Sequence, residues 1–285
     1  MGRTNLRSYL YVPGDRADLL GKALASGTHG LILDLEDGVA PANKKEARRQ
    51  VLAALNDRET TVDGPPLIVR VDPHGADADA DLEVAVGGGA DAIVLAKSTR
   101  STLDHVDAAL RRLEHHHEGR PVPVIALIES ARGLLDAAVM AEHQRVDGLA
   151  IGEADLGAEL GVDPGIDGIA MAPYRATIVV ASAAAGLRRP TGPASTDFRD
   201  LDALLRSCEH LRRQGFGARS AIHPAQVAVI NEAFAPTQIE IERARATVAA
   251  FDAGVAEGRG VQLGDDGTML DEAVIRAARR VLDDR

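Results

Sequence analysis

Tryptophan is absent and aromatic residues make up only 2% of the chain. A core built without them must be filled by Val, Leu, Ile and Ala. Cysteine occurs once, at Cys208, which excludes a disulfide framework. No apolar run approaches the roughly 20 residues that a membrane-spanning helix needs. The opening segment MGRTNLRSYL lacks the apolar stretch of a secretory leader. Basic residues are in the minority, 32 against 43 acidic ones, for a net charge of −11. That balance provides no basic face for nucleic acid. These absences predict a soluble, cytoplasmic protein with neither a membrane nor a nucleic acid as partner.

Short apolar runs alternate with amphipathic segments over most of the 285 residues. Strands are predicted at Leu6–Val12, Gly30–Leu35, Leu67–Val71, Asp91–Ala96, Val122–Ile128, Leu149–Ile151 and Gly217–Ile222. Thr191–Asp197 is polar, but the order of elements demands a strand there. Helices are predicted between them, with Asp15 capping Arg16–Ser26 and Ser101 capping the segment through Leu113. Eight alternations without a linker predict a TIM (β/α)8 barrel over residues 1–236. Residues 237–285 exceed what a barrel needs. They are predicted to form a C-terminal helical extension with helices near Gln238–Glu257 and Asp271–Leu282.

Acidic residues collect where strands end. ALIES ends in Glu129, and the next strand runs into GEADLG, with Gly152, Glu153 and Asp155. The carboxyl ends of parallel strands form the rim where ligands bind. Glu129 and Asp155 are one βα unit apart and therefore face one site. Two carboxylates with water and substrate oxygens suit Mg²⁺. From spacing alone they suit rim ion pairs with arginine equally well. Gly152 opens a turn whose backbone N–H groups suit a carboxylate ligand. LDLEDG contributes Asp34, Glu36 and Asp37. Asp34 and Glu36 lie on one strand face and are read as holding Arg70 and metal-bound water in place. Arg70 closes LIVR, and its fork suits bidentate contact with a carboxylate. Lys97 is read as an ion-pair partner of these acids. His115, His116 and His117 are read as a solvated helix end.

RSYLYVPGDR, LILDLEDGVAPANKKEAR, ALIESARGLL, GEADLGAELG and GFGARSAIHPAQVAVINEAF resemble the citrate lyase β-subunit-like family of the HpcH/HpaI aldolase superfamily. Malyl-CoA and citramalyl-CoA lyases belong to this superfamily, and the likeness runs from Arg7 to about Leu282. The resemblance implies Mg²⁺ (Mn²⁺ as an alternative) held by Glu129 and Asp155, with Arg70 on substrate oxygens. It implies a CoA thioester and a 2-oxo acid as small-molecule partners, and a homo-oligomer, either a trimer or a dimer of trimers. GTMLD matches a family segment that makes Asp271 the acid/base lent by a neighbouring subunit. Arg7, Arg16 and Lys22 fall near the CoA phosphates on this likeness, although they are ordinary surface cations by sequence alone. His223 suits either rim packing or CoA contact. Three departures stand out: Asp72 replaces an expected Asn, LAK replaces LPK before Lys97, and the acid preceding Asp155 is at 153 rather than 154. Asp72 is expected to add charge close to Arg70.

The activity implied is Mg²⁺-dependent cleavage or formation of a 3-hydroxy-3-carboxyacyl-CoA such as malyl-CoA or citramalyl-CoA. The products are acetyl-CoA with glyoxylate or pyruvate. The alternatives are a citrate lyase β subunit acting on a carrier-protein thioester, a metal-dependent pyruvate aldolase without CoA, and a non-catalytic binding subunit.

Overall fold

A computed structural model describes residues 6–57, 64–75, 77–163, 168–256, 262–263 and 269–284. Eight parallel strands close into a barrel in sequence order: β1 (Ser8–Pro13), β2 (Gly30–Asp34), β3 (Leu67–Val71), β4 (Ala92–Leu95), β5 (Val124–Ile128), β6 (Val146–Ile151), β7 (Thr191–Gly192) and β8 (Ala218–Ala221). β8 pairs back onto β1, with Ser8 opposite Arg219. The strands are short apolar runs because helices cover their outer face and side chains fill the barrel interior. β2 and β5 are buried along their whole length. The helices are α1 (Leu20–Leu24), α2 (Lys44–Asn56), α3 (Ala78–Gly87), α4 (Arg100–His116), α5 (Ala131–Ala141), α6 (Glu153–Leu160), α7 (Ala172–Ala184), α8 (Leu201–Arg213) and α9 (Pro224–Phe234). The architecture is the TIM barrel expected from the alternation of elements.

Several local expectations are corrected. Asp15 does not cap a helix: its carboxylate accepts from Asn43 Nδ2 at 2.7 Å. α1 is correspondingly short and is preceded by a 3₁₀ turn at Ala17–Leu19 without a side-chain cap. Thr99, not Ser101, caps α4. Its side chain accepts from Thr102 N while Thr102 Oγ1 accepts from Thr99 N, a reciprocal capping box. β7 is only two residues long because Pro193 has no N–H to continue a ladder. α9 was not expected as a helix.

The chain divides into two compact units, one spanning Leu6–Glu232 and the other containing Ala233–Arg285. In the second, α10 (Gln238–Ala256) and α11 (Glu272–Asp283) pack on each other. The short strands β9 (Gln262–Leu263) and β10 (Met269–Leu270) pair antiparallel. No strand was expected between the two predicted helices, a stretch most of which lies outside the described residues. Among the described residues no helix is long and apolar enough to cross a membrane.

Candidate active site

The site follows from the two-residue period of the strands. Tyr9, Ile32, Ile68, Ile125, Leu127 and Ala150 belong to one buried cluster in the barrel. One step further along the same faces come Tyr11, Asp34, Arg70, Glu129 and Gly152. The first layer is buried and, apart from the Tyr9 hydroxyl, apolar. The next carries the charges, at the carboxyl ends of the strands. Asp34 and Arg70 are register partners on β2 and β3, so their side chains meet without any loop to position them.

Each nitrogen of Arg70 has an acidic partner, which leaves a second N–H on Nη1 and on Nη2. Nε and Nη2 donate to the two oxygens of Asp34 at 2.7 and 2.6 Å, and Nη1 lies 2.9 Å from Glu36 Oε2. Its guanidinium lies 4.8 Å from the centre of the Tyr11 ring. Burial works against its charge, but the Asp34 pairing outweighs it and the pKa rises. Asp34 is held in turn by the backbone N–H groups of Glu36 and Gly38. A Cβ on Gly38 would lie 2.3 Å from Asp34 Oδ2, so only glycine fits that turn. Tyr11 carries a phenol whose pKa is raised, chiefly by burial.

Lys97 follows β4 with φ at 49°, a left-handed conformation that a side chain rarely adopts. It makes two kinds of contact from there. Its backbone N–H donates to Glu129 Oε1 at 2.6 Å. Its Nζ donates to Glu36 Oε1 at 2.8 Å and Asp72 Oδ2 at 3.2 Å. The ion-pair reading of Lys97 therefore matches its geometry. Asp72 pairs with Lys97, so the extra charge expected beside Arg70 is absorbed there instead.

Glu129 is only 6% exposed. Burial, together with the charges of Glu36 and Asp155, pushes its carboxyl up to about 7, against the Lys97 N–H bond and the Arg70 charge. Gly152 lets the chain pass against this carboxylate: a Cβ there would lie 2.7 Å from Glu129 Oε2. Gly152 is also the residue before α6, and Asp155 is exposed in the first turn of that helix. Glu129, Gly152 and Asp155 are thus brought together at the rim. Among the described residues no group of three or more His, Cys, Asp or Glu is arranged to hold a metal ion. The donor set is two carboxylates, Glu129 buried and Asp155 exposed. That set fits a small hard divalent ion which takes its remaining ligands from water or substrate.

Other expected residues lie elsewhere. Glu153 turns away from the rim into a buried fork with Arg175 of α7, at 2.5 and 2.7 Å. Asp37 is exposed; only its backbone N–H reaches Glu36. It does not join Asp34 and Glu36 on Arg70. Arg7 precedes β1, where its carbonyl accepts from Arg219 N and its N–H donates to His29 Nδ1. That is the amino end of the strands, about 20 Å of strand from the rim, so Arg7 is not brought to the site. Arg16 is on the rim side, exposed and forked onto Asp18 at 2.7 Å. Lys22 is exposed on α1. His223 follows β8 and stacks on Phe198 with ring centres 4.8 Å apart. His115, His116 and His117 are exposed at the end of α4. Asp271 caps α11, with Oδ1 accepting from Ala273 N and Val274 N at 2.9 Å. Tyr11 and Arg175 were missed. The signal for Tyr11 was available: it shares a strand face with Tyr9, two residues from the strand's end.

Comparison with known proteins gives this arrangement its context. The chain is 37% identical to a (3S)-malyl-CoA thioesterase of Cereibacter sphaeroides over 281 residues, covering 97% of this chain and 93% of that protein. It is 32% identical to citrate lyase subunit beta of Escherichia coli over 286 residues, covering 97% and 92%. Among solved structures it is similar to protein CitE of Mycobacterium tuberculosis in complex with magnesium, acetoacetate and coenzyme A. That likeness has a TM-score of 0.76 and 30% identity, covering 97% of this chain and 96% of the other. The model of the HpcH/HpaI aldolase/citrate lyase family matches residues 7–224, nearly the whole barrel unit, and the chain belongs to that family.

Proposed function

We propose that this protein is a Mg²⁺-dependent carbon–carbon lyase. Its substrate is a 3-hydroxy-3-carboxyacyl-CoA such as malyl-CoA or citramalyl-CoA, and its products are acetyl-CoA and glyoxylate or pyruvate. The observation that carries the reading is the buried carboxylate of Glu129, placed beside Asp155 and Arg70 at the carboxyl-end rim. Glu129 and Asp155 hold the metal, Mg²⁺ with Mn²⁺ as a substitute. When bound, the ion supplies Lewis acidity at the substrate's oxygens.

The protein's own groups do the rest. Arg70, rigidly held by Asp34 and Glu36, binds the carboxylate of the 2-oxo acid and steadies negative charge on oxygen. The N–H groups that open α6 after Gly152 face the same end of the substrate. A general base takes the hydroxyl proton, the O–H electron pair becomes the carbonyl π bond, and the C–C pair leaves as the thioester enolate. Asp271 of a neighbouring subunit protonates that carbon; both of its capping bonds use Oδ1. In this reading the protein is a homo-oligomer, a trimer or a dimer of trimers, and Arg16 and Lys22 approach the CoA phosphates.

A second reading is hydrolysis of the same thioester, favoured by the relatives named malyl-CoA thioesterase. One experiment separates the two. The protein is incubated with Mg²⁺ and malyl-, methylmalyl- or citramalyl-CoA, and the products are weighed by mass spectrometry. Glyoxylate or pyruvate together with acetyl-CoA, or with propionyl-CoA from methylmalyl-CoA, supports the lyase. Free CoA with the intact hydroxy diacid supports the thioesterase. No turnover with any of the three removes both readings.

A further inference from the structure

The carboxylates of α6 are put to two different uses. Glu153 and Asp155 are both in its first turn. Two residues along a helix correspond to about 200° of rotation, so their side chains point in opposite directions. Asp155 is at the exposed rim; Glu153 is 8% exposed and Arg175 is 7% exposed. The fork between them uses both oxygens of Glu153, with Arg175 donating through Nε and Nη2. Arg175 is confined on its other sides too. Gly168, with φ at 65°, passes so close that a Cβ would lie 2.9 Å from Nη2. Nη1 lies 3.4 Å from Gln214 Oε1 at the end of α8. These contacts tie the first turn of the short helix α6 to Arg175 of α7. On one side of the fork is Gly152, pressed against Glu129; on the other is Asp155.

We propose that Glu153 and Arg175 are positioning residues for the metal site: their buried fork sets the rotation of α6 and so aims Asp155 at Glu129. The affinity for a divalent cation then depends on a contact outside the site. This rests on the reading of Glu129 and Asp155 as ligands. Partners that orient metal ligands from behind typically contribute roughly 10–100-fold in affinity.

The test measures Mg²⁺ affinity by calorimetry, and Mn²⁺ affinity by the loss of its free-ion electron paramagnetic resonance signal, in the full-length protein without substrate. Arg175→Lys keeps the charge and loses the fork. Glu153→Leu/Arg175→Leu replaces the pair by apolar groups, a change that buried ion pairs often tolerate without loss of stability. Arg48→Met serves as the control, because it breaks a comparable partly buried pair with Asp81 on α2 and α3. We expect both fork variants to bind either ion at least roughly tenfold more weakly, and Arg48→Met to bind as wild type does, whatever its stability. Wild-type affinity in a folded double-leucine variant would overturn the proposal. Equal weakening in Arg48→Met would also overturn it, by reducing the effect to general stability. Failure of the wild type to bind either ion would remove the ligand assignment and this inference with it.

Discussion

Charge is distributed unevenly among neighbouring carboxylates, and burial decides which of them matter. Asp34 and Glu36 are matched by Arg70 and Lys97. Glu129 is not matched, and its folded pKa of about 7 lies above an ordinary value of 4.5. An acid raised in this way binds more protons folded than unfolded between those values. Its contribution therefore turns destabilising as pH rises above 4.5 and is complete above about 7. In EDTA, Glu129→Gln is expected to raise the melting temperature relative to wild type at pH 8 but not at pH 4. Divalent-ion affinity of the wild type should rise with pH through about 7, because the ion competes with that proton. Glu129→Gln and Asp155→Asn should each abolish metal binding by calorimetry and leave the circular dichroism unchanged. Retained affinity in either would remove that residue from the ligand set. Arg70→Lys keeps charge without the fork and should lower kcat/KM at least roughly tenfold, equivalent to about 1.4 kcal/mol. Wild-type kinetics there would make Arg70 a structural ion-pair residue.

Turns and helix starts set the geometry at the scale of elements. Gly152→Ala would place a Cβ 2.7 Å from Glu129 Oε2, so the carboxylate or the start of α6 must shift. The expected result is weaker metal binding with little change in unfolding temperature; unchanged affinity would mean the turn gives way elsewhere. The cap of α4 can be tested away from the site. Thr99→Ala should cost about 1 kcal/mol in urea unfolding, whereas Ser101→Ala should fall within about 0.5 kcal/mol. Hydroxyl residues crowd the start of that helix, and only the backbone of Thr99, extended at φ −135° and ψ 168°, shows which one precedes the first turn.

Two compact units and one acid in the second pose the question at the scale of the whole molecule. Asp271 makes a genuine helix cap, and Asn caps about as well as Asp. Asp271→Asn should therefore keep the unfolding temperature and lose turnover if Asp271 is the acid/base. If that acid serves a neighbouring subunit, Asp271→Asn and Glu129→Gln chains refolded together should regain activity in mixed oligomers. Inactivity of a verified mixed oligomer would assign Asp271 to its own chain's barrel, and full activity of Asp271→Asn alone would leave it only a cap.

Local pattern was enough for the barrel and for much of its charged layer. Short apolar runs between amphipathic segments allow few architectures, and a period of two places Asp34, Arg70 and Glu129 one step beyond the buried cluster on their strands. The branched interior follows from the near-absence of aromatics. Tertiary structure decided the remainder, because it depends on contacts between residues far apart in the chain. Glu36 lies past the end of β2 and finds its partners on β3 and after β4. Glu153 has the same local signal as Asp155, and only the arrival of Arg175 from α7 removes it from the rim. Arg7 resembles Arg16 as a cation flanking β1, yet the direction of the strand puts it at the opposite mouth. A carboxylate's place in the sequence indicates that it is near the rim; the charges that close over it determine whether it is left to bind anything.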